Sequence, residues 1–116
     1  NKIRAEHKLQ PLLHDLYLTQ LGIIKVQDMI RDNYFEHVSP FYGNPWDMAT
    51  LFDYEYTSYG ENIARNFKTP EAVVSAWMAS PKHRDNILKP NFTHIAIGIK
   101  TAKNGKIYVS QQFSSK

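Results

Sequence analysis

The sequence predicts an α+β domain whose sheet is antiparallel and is completed late in the chain. Helical spacing and cap-plus-proline pairs dominate up to about residue 88. Beyond Pro90 the apolar period changes to two, and Asn104-Gly105 divides that stretch as a hairpin turn would. Helices first and a hairpin last fit an antiparallel sheet with helices packed on it better than alternating strand-helix units.

The elements follow in order. Residues 3–9 read as a short helix stopped by Pro11. Asp15 is an N-cap for a long helix over 16–33, in which Leu18, Leu21, Gly22, Val26, Met29 and Ile30 form the inward stripe and Asn33 marks the end. Asn44-Pro45 starts a short helix over 45–52. Residues 62–66 read as a short strand leaving a turn at Gly60. Thr69-Pro70 opens a helix that buries Val73, Ala76 and Trp77. Ser80-Pro81 ends that helix and caps another, which runs to about Leu88 and is closed by Lys89-Pro90. Ile95, Ile97 and Ile99 then alternate with small residues, and Ile107, Val109, Gln111 and Phe113 alternate with Tyr108, Ser110 and Gln112.

At 116 residues the chain reads as one domain, 1–116, and as a monomer. Its net charge is +3, with the basic excess late, at Lys82, Arg84, Lys89, Lys100, Lys103, Lys106 and Lys116. No lysines interleave with aromatics as in a single-strand binder, so nucleic acid is not an expected partner. The absence of cysteine excludes disulfides, thiolate metal sites and a cysteine nucleophile. A first residue other than Met reads as a trimmed chain whose signal peptide or lipid anchor has been removed.

Chemistry centres on three separate segments. His37 follows the long helix, Glu61 sits beside Gly60, and His83 lies in the first turn after Ser80. No helical His-Glu-x-x-His pattern joins any of them, and spacing alone leaves each histidine as readily a capping or buried side chain. Neither Ser39 nor Ser80, the serines near these histidines, sits in a Gly-x-Ser-x-Gly elbow. The rings of Phe41, Tyr42, Trp46, Tyr56 and Tyr59 fall in an irregular stretch that can line a groove for an acyl chain or sterol, or pack the loop onto the sheet.

Phe35-Glu36-His37, Gly60-Glu61-Asn62-Ile63-Ala64 and Ser80-Pro81-Lys82-His83-Arg84-Asp85-Asn86-Ile87-Leu88, in this order, resemble the CAP superfamily of cysteine-rich secretory, antigen 5 and pathogenesis-related proteins, in its cysteine-free bacterial branch. The resemblance implies a three-layer α-β-α sandwich around a mainly antiparallel sheet. It also implies an open cleft that can hold a divalent ion, often zinc, with His37, Glu61 and His83 matching three of its four groups. The fourth, a glutamate three residues after the tryptophan, is Ser80 here. Two imidazoles, a carboxylate and water still make an open zinc site on paper. The expectation is therefore a secreted or outer-surface binding module for a lipid- or sterol-like amphiphile or a protein partner, with peripheral membrane association through an anchor. A metal-dependent hydrolase using the His-Glu-His cleft, or a structural envelope or adhesion module, are the alternatives.

Overall fold

The computed structural model describes residues 1–116. In chain order the elements are α1 (Lys2–Glu6), β1 (Leu13–His14), α2 (Leu16–Arg31), α3 (Pro45–Leu51), β2 (Ser58–Arg65), α4 (Pro70–Ala79), α5 (Pro81–Ile87), β3 (His94–Thr101) and β4 (Ile107–Ser115). The sheet has the order β1-β3-β4-β2. β4 pairs antiparallel with both β2 and β3, and only the two-residue β1 runs parallel, beside β3. The fold is α+β.

Three layers result. Leu12, Val73, Trp77, Ile87, Phe92, Val109 and Phe113 form one core between the sheet and α1, α4 and α5. On the opposite face, Leu18, Leu21, Met48, Ala49, Tyr54 and Ala96 pack α2 and α3 on the sheet, with Val26, Met29, Ile63 and Tyr108 further along. α2 lies unusually close to β3: a Cβ built on Gly98 would meet the carbonyl carbon of Gly22 at 2.2 Å. Glycine at both positions is what lets the helix backbone rest on the strand backbone.

Most helix starts follow from local chemistry. The Asp15 carboxylate accepts from Leu18 N–H at 3.0 Å and the Thr69 hydroxyl from Ala72 N–H at 3.1 Å. At α3 the Asp47 carboxylate accepts from Asn44 N–H at 3.0 Å. The Trp77 indole is buried and donates to Ile63 O at 3.0 Å.

Several elements differ from the sequence reading. α1 stops at Glu6, well before Pro11, because Lys8 takes a left-handed conformation with φ 59. α2 ends at Arg31, with Asn33 left-handed just beyond it. β2 begins at Ser58, so Gly60 and Glu61 lie within a strand and no turn precedes them. Glycine is needed at 60 because a Cβ there would sit 2.8 Å from the Phe92 ring and 2.9 Å from Asn86 Oδ1. The polar residues of β4 are buried as completely as its apolar ones, since this central strand is covered on both faces.

Candidate functional site

β2 is an outer strand of the sheet. There the structure brings together the three residues singled out in sequence. Glu61 pairs in register with Gln112 of β4 and is buried. His37, from the segment after α2, places Nδ1 2.9 Å from Glu61 Oε1. His83, from the first turn of α5, lies with its ring centroid 6.5 Å from that of His37.

Both carboxylate oxygens of Glu61 are engaged, and its side chain is 1% exposed. Oε2 accepts from Gln112 Nε2 at 2.8 Å, and Oε1 faces both His37 and the Lys25 ammonium, 4.0 Å away. Gln112 is in turn fixed by Tyr59, whose hydroxyl donates to its Oε1 at 2.7 Å, and by Ser110 Oγ. Burial, then the charge of Glu61, pushes the Tyr59 phenol well above its ordinary range, so Tyr59 stays a donor. A carboxylate only accepts, so the neutral His37 ring carries its proton on Nδ1 and leaves Nε2 bare. The His37 side chain is about half exposed.

Beneath this surface lies a buried charged cluster that the sequence reading missed. Lys25 and Asp28 are each 1% exposed. They stand seven residues after Leu18 and Leu21, on the inward stripe of α2, and that spacing was the available signal. Lys25 donates to His37 O at 2.8 Å, which holds the His37 segment against α2. Desolvation lowers the Lys25 pKa, while Glu61, Asp28 and Glu36 oppose the shift. Asp28 accepts from Tyr34 and, at 2.5 Å, from Ser39. Ser39 Oγ is also bonded by the N–H groups of Phe41 and Tyr42, so it is a loop clamp with no histidine to activate it.

On the α5 side, Asn62 donates to His83 O at 3.0 Å and to Gln111 at 3.0 Å, while Asn86 donates to Glu61 O at 3.1 Å and to Asn62 Oδ1 at 3.0 Å. This mesh fixes α5 to the edge of β2. Ser80 is the N-cap residue by position, yet its side chain makes no cap bond; Oγ lies 2.9 Å from His83 Nδ1 instead. The outer Nε2 of His83 makes no hydrogen bond within the protein.

Burial lowers the His83 pKa, and the His37 and Lys82 charges add to the shift. The unfolded chain therefore takes up this proton first as pH falls. The stabilisation from keeping His83 neutral is complete above its ordinary value of about 6.5 and is lost as pH falls through the folded value. Proton NMR titration is expected to place His83 below a peptide histidine and to move it upward in His37→Ala; an unmoved midpoint would contradict the coupling.

The groove aromatics separate into two groups. Tyr42, Tyr56 and Tyr59 pack against the α2–α3 core. Phe41 and Trp46 remain exposed, as does Val38 next to His37.

The donor set does not fit a resident zinc ion. Two outer imidazole nitrogens are available, with Glu61 behind His37 as such imidazoles are commonly backed. Catalytic zinc takes about three protein ligands, and the carboxylate that would be third is already bonded on both oxygens. No group of three potential ligand side chains is assembled anywhere in the fold.

A model of the CAP, or cysteine-rich secretory protein, family matches residues 1–113. In sequence the chain is 49% identical over 116 residues to the uncharacterized protein YkwD of Bacillus subtilis (strain 168), covering 100% of this chain and 44% of that protein. It is 34% identical over 99 residues to the uncharacterized membrane protein YlbC of the same organism, covering 85% of this chain and 29% of the relative. In structure it superposes with a TM-score of 0.88 and 31% identity on an extracellular protein containing a SCP domain from Bacillus anthracis str. Ames, covering 98% of this chain and 37% of the other. It also superposes with a TM-score of 0.91 and 17% identity on an outer surface protein of Borrelia burgdorferi, covering 99% and 85%, a likeness of fold alone. The chain spans less than half the length of the curated relatives it matches.

Proposed function

The chain belongs to the cysteine-rich secretory protein (CAP) family, and from that premise we propose an extracellular or surface-exposed binding domain that takes a small amphiphile without turning it over. The observation that carries this reading is that Glu61 is buried with both carboxylate oxygens hydrogen-bonded. Its carboxylate orients His37 from behind and, at 1% exposure, is not presented to a ligand. The bare Nε2 of His37 accepts a hydrogen bond, which suits a hydroxyl head group. Val38, next in the chain, and Phe41, four residues on, are 52% and 73% exposed and offer apolar contact to the rest of such a molecule. The Bacillus anthracis protein, described as extracellular, supports the compartment, and no helix here is long and apolar enough to cross a membrane.

One observation favours a hydrolase as the second reading. His37 with a carboxylate on Nδ1 and a free Nε2 is oriented as a general base is. What it lacks is a nucleophile: Ser39 is bonded to Asp28, and Ser80 faces a different histidine that has no acid behind it.

Calorimetric titration with a fatty alcohol, a monoacylglycerol and a sterol, followed by mass spectrometry of the same mixtures, separates the readings. Saturable binding weakened in His37→Ala and in Phe41→Ala, with the ligand recovered intact, is the expected result. Cleavage of the monoacylglycerol ester that disappears in His37→Ala would establish the hydrolase. No binding of any of the three would leave a structural module. Zinc alone is expected to bind weakly in the same instrument.

A further inference from the structure

The sheet treats its two edges differently. The β2 edge is capped by α4 and α5, with the Trp77 indole bonded to Ile63 O and Asn86 to Glu61 O. The other edge belongs to β3, where β1 pairs only with His94 and Ile95. Asp15 N–H bonds Ile95 O at 3.2 Å, so the main-chain groups of Ile95 point outward. By alternation the N–H and C=O groups of Ile97 and Ile99 point to the same open side. From Ala96 to Thr101 the strand continues without proline and with one charge, Lys100, where natural edges are usually blunted.

Ile97 and Ile99 are 38% and 58% exposed. They border an apolar groove of about 320 Å³ that runs between the sheet and α4, lined also by Phe67, Val73, Val74 and Ile107. The surroundings are basic. From Asn86 to Lys116 the sequence has five lysines and no acidic residue, and Lys68 lines the groove itself. Lys68, Lys100, Lys103 and Lys106 take part in none of the ion pairs of the fold.

We propose that the open edge of β3 receives an extended, acidic segment of a partner protein as an added strand. Main-chain bonds to Ile97 and Ile99 hold it, apolar side chains two residues apart enter the groove, and carboxylates face Lys100, Lys103 and Lys106 at the hairpin end. A second copy of this chain is a poorer occupant, because its own β3 edge offers Lys100 and no carboxylate to meet these lysines.

Display of random short peptides against the protein, with the selected sequences measured by fluorescence anisotropy, tests this. The expected selection alternates apolar residues and carries two or more acids. Binding should weaken with salt and fall about ten-fold or more when alternate peptide nitrogens are methylated, since each methyl removes a ladder bond. Ile99→Lys, at an exposed position, should give the same loss, and His37→Ala should give none. Failure to select any peptide, selection of basic sequences, or binding indifferent to both methylation and Ile99→Lys would overturn the proposal. Self-association abolished by Ile99→Lys would also overturn it, in favour of a second copy.

Discussion

Glu61→Ala is expected to destabilise the fold by about 3 kcal/mol, the lower end of what breaking a buried ion pair costs. The side chains of Glu61 and Lys25 are each 1% exposed. Removing the carboxylate leaves the Lys25 ammonium in the interior with Asp28 and Glu36 as its remaining acidic neighbours, which is why the upper end is not reached. Gln112 Nε2 loses one acceptor, and His37 loses the group that holds its ring. Glu61→Gln keeps the volume and one acceptor oxygen, so its cost should stay near 1–2 kcal/mol, that of an imperfect buried hydrogen bond. Urea unfolding of both variants measures the difference; a Glu61→Gln midpoint equal to the parent's would mean that the carboxylate charge contributes nothing.

Gly98→Ala is expected to cost at least about 3 kcal/mol, beyond the usual range for an overpacked core. The new Cβ would lie 2.2, 2.3 and 2.5 Å from the Gly22 carbonyl carbon, the Gly22 carbonyl oxygen and Ile23 N, all backbone atoms. No rotamer change relieves such a clash, so α2 must lift from β3. That displacement would also carry Lys25 away from Glu61 and the His37 carbonyl, so the cleft should lose its geometry with the fold. Gly22→Ala meets Gly98 N at 3.0 Å and should be milder. Thermal unfolding that ranks Gly22→Ala as the worse variant, or leaves Gly98→Ala within about 1 kcal/mol of the parent, would contradict this packing.

What could be read from the sequence was local in origin. Asn44-Pro45, Thr69-Pro70 and Ser80-Pro81 each place a helix start correctly, because proline at the first helical position acts within one turn. The hairpin at Asn104-Gly105 followed from turn chemistry in the same way, and Gly105 has φ 85. β1 escaped because two residues carry no period. The start of β2 escaped because Gly60 serves a close approach to Phe92, which only the tertiary structure shows.

The site divides similarly. His37, Glu61 and His83 were singled out by family resemblance, since nothing in their spacing joins them. Lys25 and Asp28 stood in plain view on the buried stripe, but charges are usually outward, and only the pairing across α2, β2 and the His37 segment explains their burial. Gln112 was hidden by the alternation of β4, whose polar face turns inward onto the cluster. Ser80 was read as a cap because its position is that of one; its hydroxyl is drawn to His83 instead.

The account rests on Glu61 being spent behind His37 with the outer imidazole nitrogen left open. A long-range proton–nitrogen correlation spectrum of ¹⁵N-labelled protein reads this directly. The expected spectrum shows the His37 proton on Nδ1 and a bare Nε2, with that preference weakened in Glu61→Gln. A His37 ring protonated on Nε2 in the parent protein would mean that Glu61 does not hold it, and the cleft would have to be rebuilt around a free carboxylate.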